Sequence, residues 1–224
     1  MKIIDNVYVV PGVIANPYLI VDADGLTVID TGLPRSEKKI LAYVASLGKQ
    51  AQEIKRIIIT HADFDHIGGL AALQRASGAR TYASQIEAAA IAMGKTSREI
   101  KPTGFSLRRV FFALIGPFMK LKPFQVDEIL AEGQTLPILG GLHVIETPGH
   151  TPGHVSLFAP SVGALFCGDS MVSDHNGLQG SRPGITWNET KARESEQKQA
   201  ALGAQLVCPG HGPVVMDANG KFPV

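Results

Sequence analysis

The run His61-Ala62-Asp63-Phe64-Asp65-His66 puts two imidazoles and two carboxylates into six residues, directly after a strand-like apolar stretch at residues 56–60. Such groups are seldom buried without partners, and neighbouring carboxylates repel unless something shares their charge. A divalent cation is the simplest sharer, and a solvated polar loop is the plain alternative. A loop leaving a strand end can aim His61, Asp63 and Asp65 inward, with His66 turning back, and Gly68-Gly69 then opens a helix. The fold must therefore carry this loop at the edge of a sheet.

Three further motifs also follow strand-like runs: Thr147-Pro148-Gly149-His150-Thr151-Pro152-Gly153-His154, Cys167-Gly168-Asp169-Ser170 and Cys208-Pro209-Gly210-His211-Gly212. Each alone reads as a hydrogen-bonded turn. Four strand-end motifs in one chain, all delivering His or Asp, point jointly to a site gathered at one sheet edge of an α/β scaffold. Five of the seven histidines fall in these motifs; His143 lies in a strand run, and His175 reads as a solvated loop residue.

The rest of the chain suits that scaffold. Its 224 residues are 45% apolar, which excludes a disordered chain, and are expected to form one domain over residues 1–224. A net charge of +1 excludes a bulk electrostatic grip on nucleic acid. Two cysteines, Cys167 and Cys208, suggest a reducing compartment and read as buried small hydrophobes. The start Met1-Lys2-Ile3-Ile4-Asp5 reaches an acid at once, and no run approaches the ~18 apolar residues of a membrane helix. A cytoplasmic protein without stable membrane insertion is expected.

Strands are predicted at residues 7–10, 18–21, 26–29, 56–60, 80–83, 142–146, 155–158, 164–167 and 205–208. Helices are predicted at residues 34–47, 70–76 and 188–202, with Asn188 as an N-cap. Residues 94–125 differ, holding Phe105, Phe111, Phe112, Phe118 and Phe124 among Pro and Gly breaks. They predict an insertion of one or two helices, serving either as a lid that favours apolar substrates or as a packing or homodimer element.

On these motifs, with Asp30-Thr31-Gly32, the chain resembles the metallo-β-lactamase superfamily over residues 7–213. The resemblance implies an αβ/βα sandwich of two mixed sheets flanked by helices, with two metal ions at one edge. Carried over by position, His61, Asp63 and His150 hold the first ion, and Asp65, His66 and His211 the second. Asp169 bridges them. Asp65 also orients the attacking hydroxide. His154 is expected beside the metals without ligating, orienting a ligand or substrate, and Asp30 as an acceptor for a ligand histidine or as a turn cap.

Asp63 departs from the family pattern, which has histidine there. Zinc is the expected metal, and the carboxylate hardens the site and shifts preference somewhat toward iron or manganese, which are the alternatives. The implied activity is hydrolysis of an ester, lactone or thioester carbonyl in a small, partly apolar molecule. A glutathione thioesterase is disfavoured because only 13 residues follow His211. The alternative is an iron-dependent oxidoreductase, like the persulfide dioxygenase or flavodiiron branches of that family.

Overall fold

The computed structural model describes residues 1–98 and 121–223. Short β-branched runs in the N-terminal third pair into a seven-stranded sheet. Its strands, in spatial and chain order, are β1 (Lys2–Ile4), β2 (Val7–Val9), β3 (Tyr18–Asp22), β4 (Gly25–Ile29), β5 (Ile54–Ile58), β6 (Arg80–Ser84) and β7 (Glu128–Leu130). Strands β1 to β4 are antiparallel neighbours, and Asp24-Gly25 makes the β3–β4 hairpin that this dipeptide favours. From β4 to β7 the pairing is parallel. Parallel neighbours need crossovers. Helices α1 (Glu37–Ser46), α2 (Phe64–Ile67), α3 (Leu70–Ser77) and α4 (Gln85–Ala92) lie within them.

The second sheet is formed by β8 (Thr135–Leu136), β9 (Leu142–Glu146), β10 (Val155–Ala159), β11 (Ala164–Gly168) and β14 (Leu206–Pro209), in the order β14-β11-β10-β9-β8. It is also mixed, because β14 runs parallel to β11 while the other pairs are antiparallel. The hairpin β12 (Met171–Asp174) and β13 (Gly177–Gly180) and the helix α5 (Glu189–Ala200) make the crossover from β11 to β14.

Strand alternation sorts the apolar side chains into three layers. Tyr18, Ile20, Ile29 and Ile58 face Leu142, Val144, Leu157 and Phe166 between the sheets. Leu19, Val28, Ile57 and Ile59 point the other way, onto Ile40 and Val44 of α1, Leu73 of α3 and Ile91 of α4. Phe158, Leu165, Cys167 and Val207 form the outer layer of the second sheet. Both faces of each central strand are thus covered, which is why these strands read as continuous apolar runs. The αβ/βα sandwich expected from the motifs is the observed fold. Both cysteines are buried, as expected, and burial pushes both thiols up.

Element ends shift by a few residues. The strand expected at residues 56–60 runs Ile54–Ile58, so His61 leaves a short extended segment rather than the strand itself. Asn188 does cap α5, accepting a 3.0 Å hydrogen bond from the Lys191 amide. This helix is polar overall but buries Gln199, which accepts hydrogen bonds from Ser156 and Ser170. Of the five phenylalanines at residues 94–125, only Phe124 is among the described residues; it packs against the helix-side core. The lid and homodimer expectations for Phe105, Phe111, Phe112 and Phe118 lie outside the described residues. Among the described residues, no helix is long and apolar enough to cross a membrane.

Candidate metal centre

The four motif loops leave β5, β9, β11 and β14 at the same edge of the sandwich. Asp63 is extended and starts the one-turn helix α2, whose first residues carry Asp65 and His66. That single turn swings His66 back toward the sheet while Asp63 stays on the incoming loop. Their donor atoms meet those of His150, Asp169 and His211 from the second sheet. Three overlapping groups can each hold a cation, with ligand atoms within 4.8 Å of one another: His61, Asp63 and His150; His61, His66 and Asp169; Asp65, His66 and His211. All seven residues expected as ligands are therefore brought together. Asp169 is central: its Oδ1 lies 3.3 Å from His66 Nε2, and its Oδ2 lies 3.6 Å from His150 Nε2 and 3.4 Å from His211 Nε2.

The donor atoms fit a bound metal. His61 Nε2, His66 Nε2 and Asp169 Oδ1 are buried and have no hydrogen-bond partner among the described residues. Leaving such groups unpaired is costly, and three around one point call for a shared cation. Gly210 lets the fourth loop come close. A Cβ there would sit 2.4 Å from Asp169 Oδ1 and 2.7 Å from His66 Cε1.

Asp30 fixes the imidazole tautomers. It occupies the left-handed region, φ 58°, at the end of β4, a conformation Asp tolerates better than most residues. Its Oδ1 accepts from the Thr60 amide at 2.9 Å, and its Oδ2 accepts from Thr60 Oγ1 at 2.8 Å and from His66 Nδ1 at 2.8 Å. The Thr60 hydroxyl has one proton and spends it on Asp30. His61 Nδ1, 3.0 Å from the same hydroxyl, must then be the donor. Both Nε2 lone pairs are thereby turned toward the metal position, and Asp30 acts as more than a turn cap.

Charge balance around the site is strained toward a cation. Burial pushes the His66 imidazole down, but the Asp169 and Asp30 carboxylates outweigh it and raise it well above the ordinary value. Burial likewise opposes ionisation of Asp169, and His66, His150 and His61 hold it well below the carboxylate range. Asp65 is lowered too, against burial, chiefly by its hydrogen bond from His211 at 3.1 Å. Asp65 and His211 keep 31% and 16% of their side chains exposed, so the site opens on their side.

His154, expected beside the metals without ligating and orienting a ligand or substrate, sits in the wall of the site against the Asp169 backbone. It is fully buried. Its Nε2 accepts from the Asp169 amide at 3.1 Å, so Nδ1 carries the proton, 2.8 Å from Thr147 Oγ1. Both nitrogens are spent inside the protein, and burial keeps the ring well below its ordinary pKa. The contact it makes is with the backbone of Asp169. His175 is exposed in the β12–β13 turn and His143 is half-buried on β9, as read from the sequence.

Two residues escaped the sequence reading. Glu87 is a fully buried acid on α4. It accepts from the Ala62 amide at 2.8 Å, the Thr151 hydroxyl at 2.7 Å, the Gly153 amide at 3.0 Å and the Ser97 hydroxyl at 2.8 Å. One carboxylate thus ties the first and second motif loops together. Its signal was available: a lone acid in the apolar helix sequence Ile86-Glu87-Ala88-Ala89-Ala90 needs partners. The other is Arg98, whose two terminal nitrogens each donate to one oxygen of Asp63 at 2.7 Å.

Comparison with known proteins agrees with this geometry. The family model described as the metallo-beta-lactamase superfamily matches residues 10–211. The probable metallo-hydrolase YflN of Bacillus subtilis (strain 168) is 27% identical, over 89% of this chain and 81% of that protein. A hydroxyacylglutathione hydrolase of Cereibacter sphaeroides is 30% identical over 80% of this chain, which spans 56% of that longer protein. Among solved structures, a metallo-beta-lactamase from Cronobacter sakazakii, a mutant of its HARLDQ motif, superposes with a TM-score of 0.73 at 26% identity, covering 95% of this chain and 79% of that one.

Proposed function

Because this chain belongs to the metallo-beta-lactamase superfamily, we propose that it is a metal-dependent hydrolase acting on the ester, lactone or thioester carbonyl of a small, partly apolar molecule. The observation that carries the reading is the meeting of His61, His66, His150, His211, Asp65 and Asp169 at one edge, with buried donor atoms that no described residue satisfies. A mixed imidazole and carboxylate set suits zinc. A divalent ion held there supplies a nucleophile from water near neutral pH and polarises the carbonyl under attack.

The chain's own residues supply the rest. Asp65, ionised and partly open to solvent, orients the incoming water and accepts its proton. Asp30 holds His61 and His66 in the tautomer that binds. His154 acts as a positioning residue for Asp169, and Glu87 keeps the two histidine-bearing loops in register. The relative named for hydrolysing a hydroxyacylglutathione supports an acyl carbonyl as the target. The oxidoreductase alternative drew on Asp63 as a hard ligand, and it loses that support with both Asp63 oxygens engaged by Arg98.

The test is hydrolysis of a panel of lactones, aryl esters and acyl thioesters, with the metal content of the same preparation measured. Activity on at least one class that vanishes with chelation and returns with zinc is expected. Metal-free protein that hydrolyses equally well overturns the proposal.

A further inference from the structure

Arg98 meets Asp63 as a two-pronged fork, nitrogen to oxygen at 2.7 Å on both arms. The pair is well enclosed, with 2% of the Arg98 side chain and 14% of the Asp63 side chain exposed. This is the geometry in which a guanidinium binds a carboxylate most tightly. Among the described residues, no other Lys or Arg is paired with a carboxylate of the cluster. Asp63 Oδ2 is also the oxygen nearest the first metal position, 3.2 Å from His150 Nε2 and 3.6 Å from His61 Nε2.

The two metal positions therefore differ in charge. At the first, Asp169 is shared with the second position, the Asp63 carboxylate is already neutralised, and His61 and His150 bring no negative charge. A divalent ion there would share one carboxylate oxygen with a fixed guanidinium, cation against cation in a buried setting. At the second, Asp65 and Asp169 bring two carboxylates beside His66 and His211, with no Lys or Arg among the described residues paired to them. Asp30 lies behind both, bonding His66 directly and His61 only through the Thr60 hydroxyl. A single divalent ion balances the second position, and the first is balanced without one.

We propose that the Arg98 guanidinium takes the place of the first metal ion, so that the chain holds one divalent ion tightly, centred on His66 and Asp169 and within reach of His61, Asp65 and His211. The inference rests on the metallo-hydrolase reading and narrows its metal count from two to one. Asp63 is then the anchor of an internal cation rather than a metal ligand.

Zinc alone is the probe. Equilibrium dialysis against buffered zinc, followed by elemental analysis, should give about one ion per chain for the native protein and about two for Arg98→Met, which frees Asp63 to ligate. Arg98→Met strands a buried carboxylate, so Arg98→Met/Asp63→His serves as the companion variant. It removes both charges together, restores an imidazole and should also bind about two ions. Arg98→Lys keeps the charge and should stay near one. Two tightly bound ions in the native protein, or one in a folded Arg98→Met/Asp63→His variant, overturn the proposal. The first of these results leaves the hydrolase reading standing if activity is present. One ion with no hydrolysis of any substrate supports the count and sinks the hydrolase, and no bound zinc sinks both.

Discussion

His66 Nδ1 donates a 2.8 Å hydrogen bond to Asp30 Oδ2, the same oxygen that receives the Thr60 hydroxyl and, through it, orients His61. One carboxylate at the end of β4 therefore sets the direction of two imidazoles on the next loop. It joins the β3–β4 hairpin to the candidate metal site.

Replacing this residue tests that role. Asp30→Asn keeps the shape but offers a weaker acceptor and an amide that competes for the same protons. Zinc affinity is expected to fall about 10- to 100-fold, the usual effect of losing such a supporting partner. Competition with a chromophoric chelator measures it. Unchanged affinity with unchanged stability would reduce Asp30 to a turn residue.

Glu87 tests the frame around the site. Glu87→Gln retains one acceptor but turns an NH2 group toward donors that already need an acceptor. A loss of about 2–4 kcal/mol in the stability of metal-free protein is expected. Urea unfolding in the presence of chelator gives the number. A loss below about 0.5 kcal/mol, the range of ordinary surface changes, would mean the loops hold their register without it.

Acid stability tests the Asp63–Arg98 pair in metal-free protein. Burial pushes the Asp63 carboxyl up, but hydrogen bonds from His150 and His61, with the charges of His61 and Arg98, hold it well below the carboxylate range. A lowered folded pKa stabilises above the unfolded value of about 4, and that contribution is lost as pH falls through the folded value. Asp63→Asn removes one such proton. The slope of stability against pH below about pH 4 should become shallower by up to about 1.4 kcal/mol per pH unit. Parallel slopes for the native and variant proteins would show that Asp63 does not titrate with folding.

The sandwich and the ligand loops were legible because their signals are local. Each motif abuts its strand in sequence, and continuous apolar runs mark the buried strands themselves. The roles of Arg98 and Glu87 were not legible, because both depend on contacts far along the chain. Arg98 reaches Asp63 across 35 residues, and Glu87 reaches Thr151 across 64. His154 was expected beside the metals without ligating; the chain enters β10 directly after it and turns its ring to the Asp169 backbone. The His154 position depends on where the turn ends, and sequence spacing does not encode that.

The site is built across the seam between the two sheets, with Asp65 and His66 on one side and His150, Asp169 and His211 on the other. Any ion they share is then a rivet through the sandwich, and its binding free energy adds to the cohesion of the two halves. A free divalent metal in the medium would then be a determinant of how long the folded chain survives, quite apart from whether a substrate is present. A chelator would act on such a protein as a mild denaturant, with the widest effect where the two sheets meet.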